Sequence, residues 1–190
     1  MFFRLGCGKL RDKIFFLHVP KCGGTSILSA LKMTTQPRKI HILDPVSSAE
    51  AARAQGMHLF KYREQILLYL MASSRLRFIS GHFRWSDNAY KLFGHQWNYV
   101  TILRNPVDKW FSQYFYNRYK ASNHFKIKED IEEFIDSEEG RRLGCDQVQK
   151  LCDPSTSPNE MLTQAIANLE HFVLVGMMER LDLFREHFKK

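Results

Sequence analysis

Five short apolar runs, rich in aromatic or β-branched residues and separated by stretches of helical pattern, constrain this chain more than any other feature. They are Ile14 to Val19, Lys39 to Leu43, Leu76 to Ser80, Tyr99 to Leu103 and Phe172 to Val175. A continuous apolar run of that length is the mark of a strand buried on both faces. Strands alternating with helices build βαβ units, so the expected fold class is α/β, with a central, mostly parallel sheet of about five strands flanked by helices in three layers. With 190 residues and 44% hydrophobic positions, a single domain over 1–190 is expected.

Helix starts are marked by side chains that can satisfy free backbone N–H groups. Ser47-Ser48-Ala49-Glu50 and Ser157-Pro158-Asn159-Glu160 fit the capping box, and Asn105-Pro106-Val107-Asp108 repeats its logic after the fourth run. Helices are therefore expected to begin near Ser48, Pro106 and Pro158. Further helical stretches are Thr25 to Met33, His58 to Ser73, Lys128 to Ser137 and Leu181 to Lys189, while Gly140 to Pro158 reads as a loop. Trp110, Phe111, Tyr114 and Phe115 recur at helical spacing and are assigned to packing, with Tyr116, Arg118 and Tyr119 facing outward.

Charge and cysteine usage narrow the function classes. The 28 Lys and Arg against 20 Asp and Glu leave a net charge of +8, which suits an anionic ligand. These basic residues are scattered rather than gathered in a stripe, so no nucleic-acid partner is expected. Cys7, Cys22, Cys145 and Cys152 form no CxxC pair and no zinc-type spacing, so free thiols and no metal are expected. No apolar run approaches the ~18 residues of a membrane span, and a soluble, cytoplasmic chain without a transmembrane segment is expected.

Between the first strand and the first helix lies "VPKCGGTS", Val19 to Ser26. A tight strand-to-helix connection presents unpaired N–H groups at the positive end of a helix dipole, which together make an anion site. Gly23 and Gly24 allow close backbone approach, Thr25 and Ser26 add hydroxyls, and Lys21 adds a mobile charge. A bare Gly-Gly turn would merely connect two elements, but a Lys, two Gly and two hydroxyls within six residues favour a phosphate or sulfate guest. The order excludes a Walker A loop, where the Lys follows the glycines.

Two further segments converge on the same sheet edge. Arg104 leaves the end of the fourth strand, where open α/β sheets bind ligands and where a guanidinium fork suits phosphate. Ser112 follows about two helical turns later. In "SGHF", His82 comes just after the third strand, and its near-neutral pKa makes it a plausible base for a hydroxyl nucleophile. Position alone lifts it above His18, His41, His58, His95, His124, His171 and His187, which carry the structural default.

The motifs "FFLHVPKCGGTSI", "SGHF" and "TILRNPVDKWFSQYFY", in that order, together with "LVGMMERLD", resemble sulfotransferase family 2, the group that includes the carbohydrate and glycosaminoglycan O-sulfotransferases. The resemblance implies a P-loop-NTPase-like fold that takes 3′-phosphoadenosine 5′-phosphosulfate (PAPS) as co-substrate, a carbohydrate hydroxyl as acceptor, and no metal. By motif position, Lys21, Cys22, Gly23, Gly24, Thr25 and Ser26 would hold the 5′-phosphosulfate, with Lys21 on the leaving phosphate. Arg104 and Ser112 would hold the 3′-phosphate, and His82 would be the base. Arg84 and Trp85 are candidates for the acceptor groove by their nearness to His82. Members of that group usually continue past the "GMMER" turn into a basic segment, whereas this chain ends one helix later; a fragment, a minimal enzyme and a degenerate member are the alternatives. Two other functions remain beside this one: a non-catalytic anion- or polysaccharide-binding protein, and a P-loop-type phosphotransferase.

Overall fold

The structure, a computed structural model, describes residues 13–188 except 35 and 124. Its elements in chain order are β1 (Ile14–Leu17), α1 (Gly24–Thr34), β2 (Ile40–Ile42), α2 (Pro45–Ala54), α3 (Leu59–Met71), β3 (Phe78–Gly81), α4 (Asp87–Phe93), β4 (Asn98–Leu103) and α5 (Pro106–Tyr119). They continue with α6 (Ile131–Asp136), α7 (Glu138–Gly144), α8 (Asp146–Lys150), α9 (Met161–Leu169), β5 (Phe172–Met177) and α10 (Leu181–Phe188). All five expected strands are present, and they form one parallel sheet in the order β2-β3-β1-β4-β5.

That order explains why β1 is an unbroken apolar run. It lies at the centre, paired with β3 through Phe15 and Ile79 and with β4 through Phe15 and Tyr99. Phe15, Phe16 and Leu17 are all buried, as are Phe78 and Ile79 on one side and Tyr99, Val100 and Ile102 on the other. The buried Thr101 hydroxyl of β4 donates to the Leu17 carbonyl at 2.9 Å, whereas the buried Ser80 hydroxyl of β3 has no partner among the described residues. The order also defines a crevice. From β1 the chain crosses to β2 on one side, and from β4 it proceeds to β5 on the other, so the loops leaving the C-terminal ends of β1 and β4 diverge where such sheets bind ligands.

The helix boundaries correct several expectations. Asn105 caps α5 as expected, its side chain accepting from Val107 N at 3.0 Å and Asp108 N at 3.4 Å. The cap of α2, however, is Asp44, whose carboxylate accepts from Val46 N and Ser47 N at 2.8 Å each, with Pro45 in the first turn. Leu43 N still bonds Ser80 O of the sheet, so the chain turns into the helix at once and the Ser47 box lies inside it. Ser157 and Glu160 do meet, Oγ to Oε2 at 2.6 Å, but they close a turn and α9 starts only at Met161.

The largest correction is Gly140 to Pro158, whose first half is helical. Ser137 caps α7 by accepting from Gly140 N at 2.9 Å, and α8 follows directly. Leu151 and Cys152 are buried beside the partly buried Val148 in the main core, a spacing of three and four residues that is itself helical. Helix α4, capped by Ser86 accepting from Ala89 N at 3.0 Å, was also unmarked in the sequence reading. On α5, Trp110 and Tyr114 pack with Ile127 and Phe134 in a small second core, while Phe111 and Phe115 lie against Trp110 and Tyr114 on its exposed side. Tyr116 and Tyr119 face outward as expected. Cys22, Cys145 and Cys152 are free thiols; Cys7 and Lys189 lie outside the described residues.

Candidate active site

The loop after β1 is built from two residues in the left-handed region. Lys21 has φ +63° and Gly23 φ +76°, flanking a buried Cys22. For a residue with a Cβ that conformation costs roughly 1–2 kcal/mol, so neighbours must hold it. Arg104 does so across the crevice: its Nη1 donates to the Lys21 carbonyl at 3.3 Å. Cys22 faces inward, its Sγ 3.6 Å from both the Pro20 carbonyl and Gln147 Oε1. Burial is the main cause pushing its thiol up to about 12, so it stays protonated and contributes only its backbone to the loop.

Gly24 opens α1, and a Cβ there would collide with the His18 ring, so only glycine lets the helix start so close to β1. Thr25 and Ser26 are exposed on the first turn, where the Ser26 N–H bonds the Gly23 carbonyl at 3.3 Å. The Lys21 ammonium lies 4.1 Å from the ring centre of Tyr116 on α5. Burial, and then the charge of Arg104, lower its pKa. Neither Lys21 nor Arg104 pairs with a carboxylate among the described residues. Two cations that repel across a cradle of N–H groups and hydroxyls are an arrangement that an anion relieves. Ser112 is half-buried on α5 one turn before Tyr116, hence on the same helical face.

His82 stands just beyond β3 with its ring centre 4.8 Å from that of His18. Its Nδ1 lies 3.3 Å from the His18 carbonyl, an oxygen that can only accept. Nδ1 therefore carries the proton and the Nε2 lone pair is free, the tautomer a base requires. Arg63 fixes the backbone there by donating Nη1 to the His82 carbonyl at 2.8 Å, while its Nε bonds Ser48 Oγ at 3.1 Å. Burial above all, then the charge of Lys150, hold the His82 pKa below 6.5, and the bond to His18 opposes them. Burial, followed by the charges of His82 and Lys150, pushes His18 down to about 4. Both imidazoles are neutral at pH 7.

Helix α8 supplies residues the sequence reading passed over. Gln147 bonds the Arg104 backbone in both directions, accepting from its N–H at 3.0 Å and donating to its carbonyl at 2.9 Å. Asp146 pairs with the buried Lys109 at 2.8 Å. Lys150 is only 6% exposed, and burial is the chief cause bringing its pKa down to about 8. Its ammonium and the Arg84 guanidinium lie 4.5 and 4.2 Å from the ring centre of Phe60. Trp85 is 1% exposed and stacks in the core, so it is removed from any acceptor groove, whereas Arg84 is half-buried beside His82. The helical spacing of Val148, Leu151 and Cys152 was the available signal for α8; nothing in the sequence pointed to His18.

The family model for the sulfotransferase domain matches residues 11–152, from the residues leading into β1 to the end of α8. The chain belongs to the sulfotransferase domain family. No curated protein matches it. Among solved structures it is similar to mouse sulfotransferase SULT7A1 complexed with PAP, with a TM-score of 0.48 and 15% identity over 95% of this chain and 57% of that one. This sulfotransferase-family chain thus spans little more than half the length of that neighbour. Among its described residues there is no group of acidic, His or Cys side chains arranged for a metal ion, and no helix long and apolar enough to cross a membrane.

Proposed function

We propose that the chain transfers the sulfuryl group of PAPS to a hydroxyl of a carbohydrate acceptor. The observation that carries this reading is the meeting of Lys21 and Arg104, two cations without carboxylate partners among the described residues, at the β1/β4 crevice, with a neutral His82 one strand away. The fit to a nucleotide with anionic groups at two ends is chemical. The backbone of Cys22, Gly23 and Gly24, the hydroxyls of Thr25 and Ser26, and Lys21 surround the place for the 5′-phosphosulfate; Arg104 and Ser112 serve the 3′-phosphate.

In the transfer an O–S bond forms to the acceptor oxygen as the bridging S–O bond breaks, and the phosphate keeps the electron pair. Lys21 meets the negative charge that grows on that phosphate, and donors held in place ahead of reaction lower the barrier more than they stabilise the ground state. His82 takes the acceptor's hydroxyl proton on Nε2, while the His18 carbonyl holds Nδ1–H and keeps the ring aimed.

Calorimetric titration with 3′-phosphoadenosine 5′-phosphate tests the donor half. Tight binding by the wild-type chain that falls to weak, still measurable binding in both Lys21→Ala and Arg104→Ala is expected. No binding by the wild-type chain would refute the reading, and binding without transfer to any saccharide hydroxyl would leave an anion-binding protein on the same fold.

A further inference from the structure

We infer that Gln147 is a positioning residue for the nucleotide cradle: it holds Arg104 and the Lys21 loop in register from the opposite side of the crevice. The inference rests on the donor-site reading above. Arg104 is the first residue after β4, where pairing within the sheet has ended. A backbone freed at that point can rotate its peptide planes and swing the side chain. The Gln147 carboxamide replaces the missing strand, bonding Arg104 N at 3.0 Å and Arg104 O at 2.9 Å as a neighbouring strand would. The same Oε1 also lies 3.6 Å from Cys22 Sγ, inside the loop. Arg104 in turn donates to the Lys21 carbonyl, so Gln147, Arg104 and the loop form a closed circuit around the crevice.

Helix α8 is itself fixed at both ends, which gives the carboxamide a rigid base. Asp146 is held by Lys109 from α5, and the Lys150 carbonyl accepts from Trp85 N at 2.8 Å. Only a side chain with one donor and one acceptor at glutamine length satisfies both Arg104 groups. Asparagine is one methylene short, leucine offers neither group, and an ionised glutamate would turn a negative oxygen toward the Arg104 carbonyl.

Binding of 3′-phosphoadenosine 5′-phosphate is to be measured for wild type, Gln147→Leu, Arg104→Ala and the double variant, with Gln147→Asn as a second substitution should the leucine variant not fold. Gln147→Leu is expected to weaken binding roughly 10-fold, within the range of coupling between residues of one hydrogen-bond network. The loss should largely vanish in the Arg104→Ala background, because the two residues act as one unit. Equal losses in both backgrounds, or no loss at all, would overturn the inference. Hydrogen exchange at the Arg104 amide provides a readout without nucleotide. Faster exchange there in the Gln147 variants, with the β4 amides unchanged, supports the positioning role even if the wild-type chain fails to bind nucleotide and the donor-site reading falls. Unchanged exchange at Arg104 would end it.

Discussion

The loop from Val19 to Ser26 and the helical segment from Glu138 to Lys150 both line one crevice, yet they are encoded differently. In the loop each residue's own chemistry marks its place: glycine where φ is positive or a ring is too close, a lysine charge, and hydroxyls at a helix start. In the later segment the residues act through partners far along the chain, Gln147 through Arg104, Asp146 through Lys109 and Lys150 through His82. Local chemistry can be recognised without knowing the fold. Distant pairing cannot.

The contrast is sharpest at His82, which depends on both regions. His82→Ala is expected to lower the transfer rate by roughly 10² to 10⁴, the usual worth of a general base, with nucleotide affinity retained in titration. Because burial and Lys150 depress its pKa, the rate should hold down to pH values below 6.5 and fall only as His82 protonates. Lys150→Met should move that acid limb to higher pH by removing a charge that disfavours the imidazolium. An unmoved pH–rate profile would mean the two regions are not coupled electrostatically.

Removing Asp146 tests the later segment alone. Lys109 is 2% exposed, and Asp146→Ala strands its ammonium, so a destabilisation of about 3–5 kcal/mol is expected in urea unfolding. Burial by itself would raise the Asp146 pKa, but the charges of Lys109 and Lys150 outweigh it and the net shift is downward. The pair's stabilisation is therefore complete above the ordinary carboxylate range and is lost as pH falls through the depressed folded value. A variant as stable as wild type would show that the ion pair merely decorates α8.

Gly24→Ala is the matching test of the loop. The added methyl meets the His18 ring, and a loss of about 1–3 kcal/mol is expected, together with slower transfer as His18 pushes on His82. Thermal unfolding and a rate assay read the two effects separately. The smallest effect concerns α2, where Asp44→Ala should lower stability more than Ser47→Ala in urea unfolding, because Asp44 holds the cap. The reverse ranking would restore the capping box that the sequence suggested.

Much of the fold was legible because its signals are short-ranged. Each buried strand is mostly apolar, and Asn105-Pro106 starts α5 with groups one turn away. The residues of the candidate site could be named from sequence as well, Lys21, the glycines and the hydroxyls from their loop and His82 from its place after a strand. What escaped was set by competition between neighbours. Asp44 rather than Ser47 caps α2 because Leu43 is still bonded to the sheet, and Gly140 to Pro158 reads as a loop until Val148, Leu151 and Cys152 are seen to face the core.

By itself the sequence determined a parallel α/β sheet, an anion-ready loop after its first strand, and an arginine and a histidine at the ends of two others. Strand order, which sets β1 between β3 and β4, was decided only by tertiary packing, and with it the meeting of Lys21 with Arg104 and of His18 with His82. The physical reason is range. A residue's own conformational preference and charge are written at its position, whereas a hydrogen bond between Gln147 and Arg104 exists only after the chain between them has folded back.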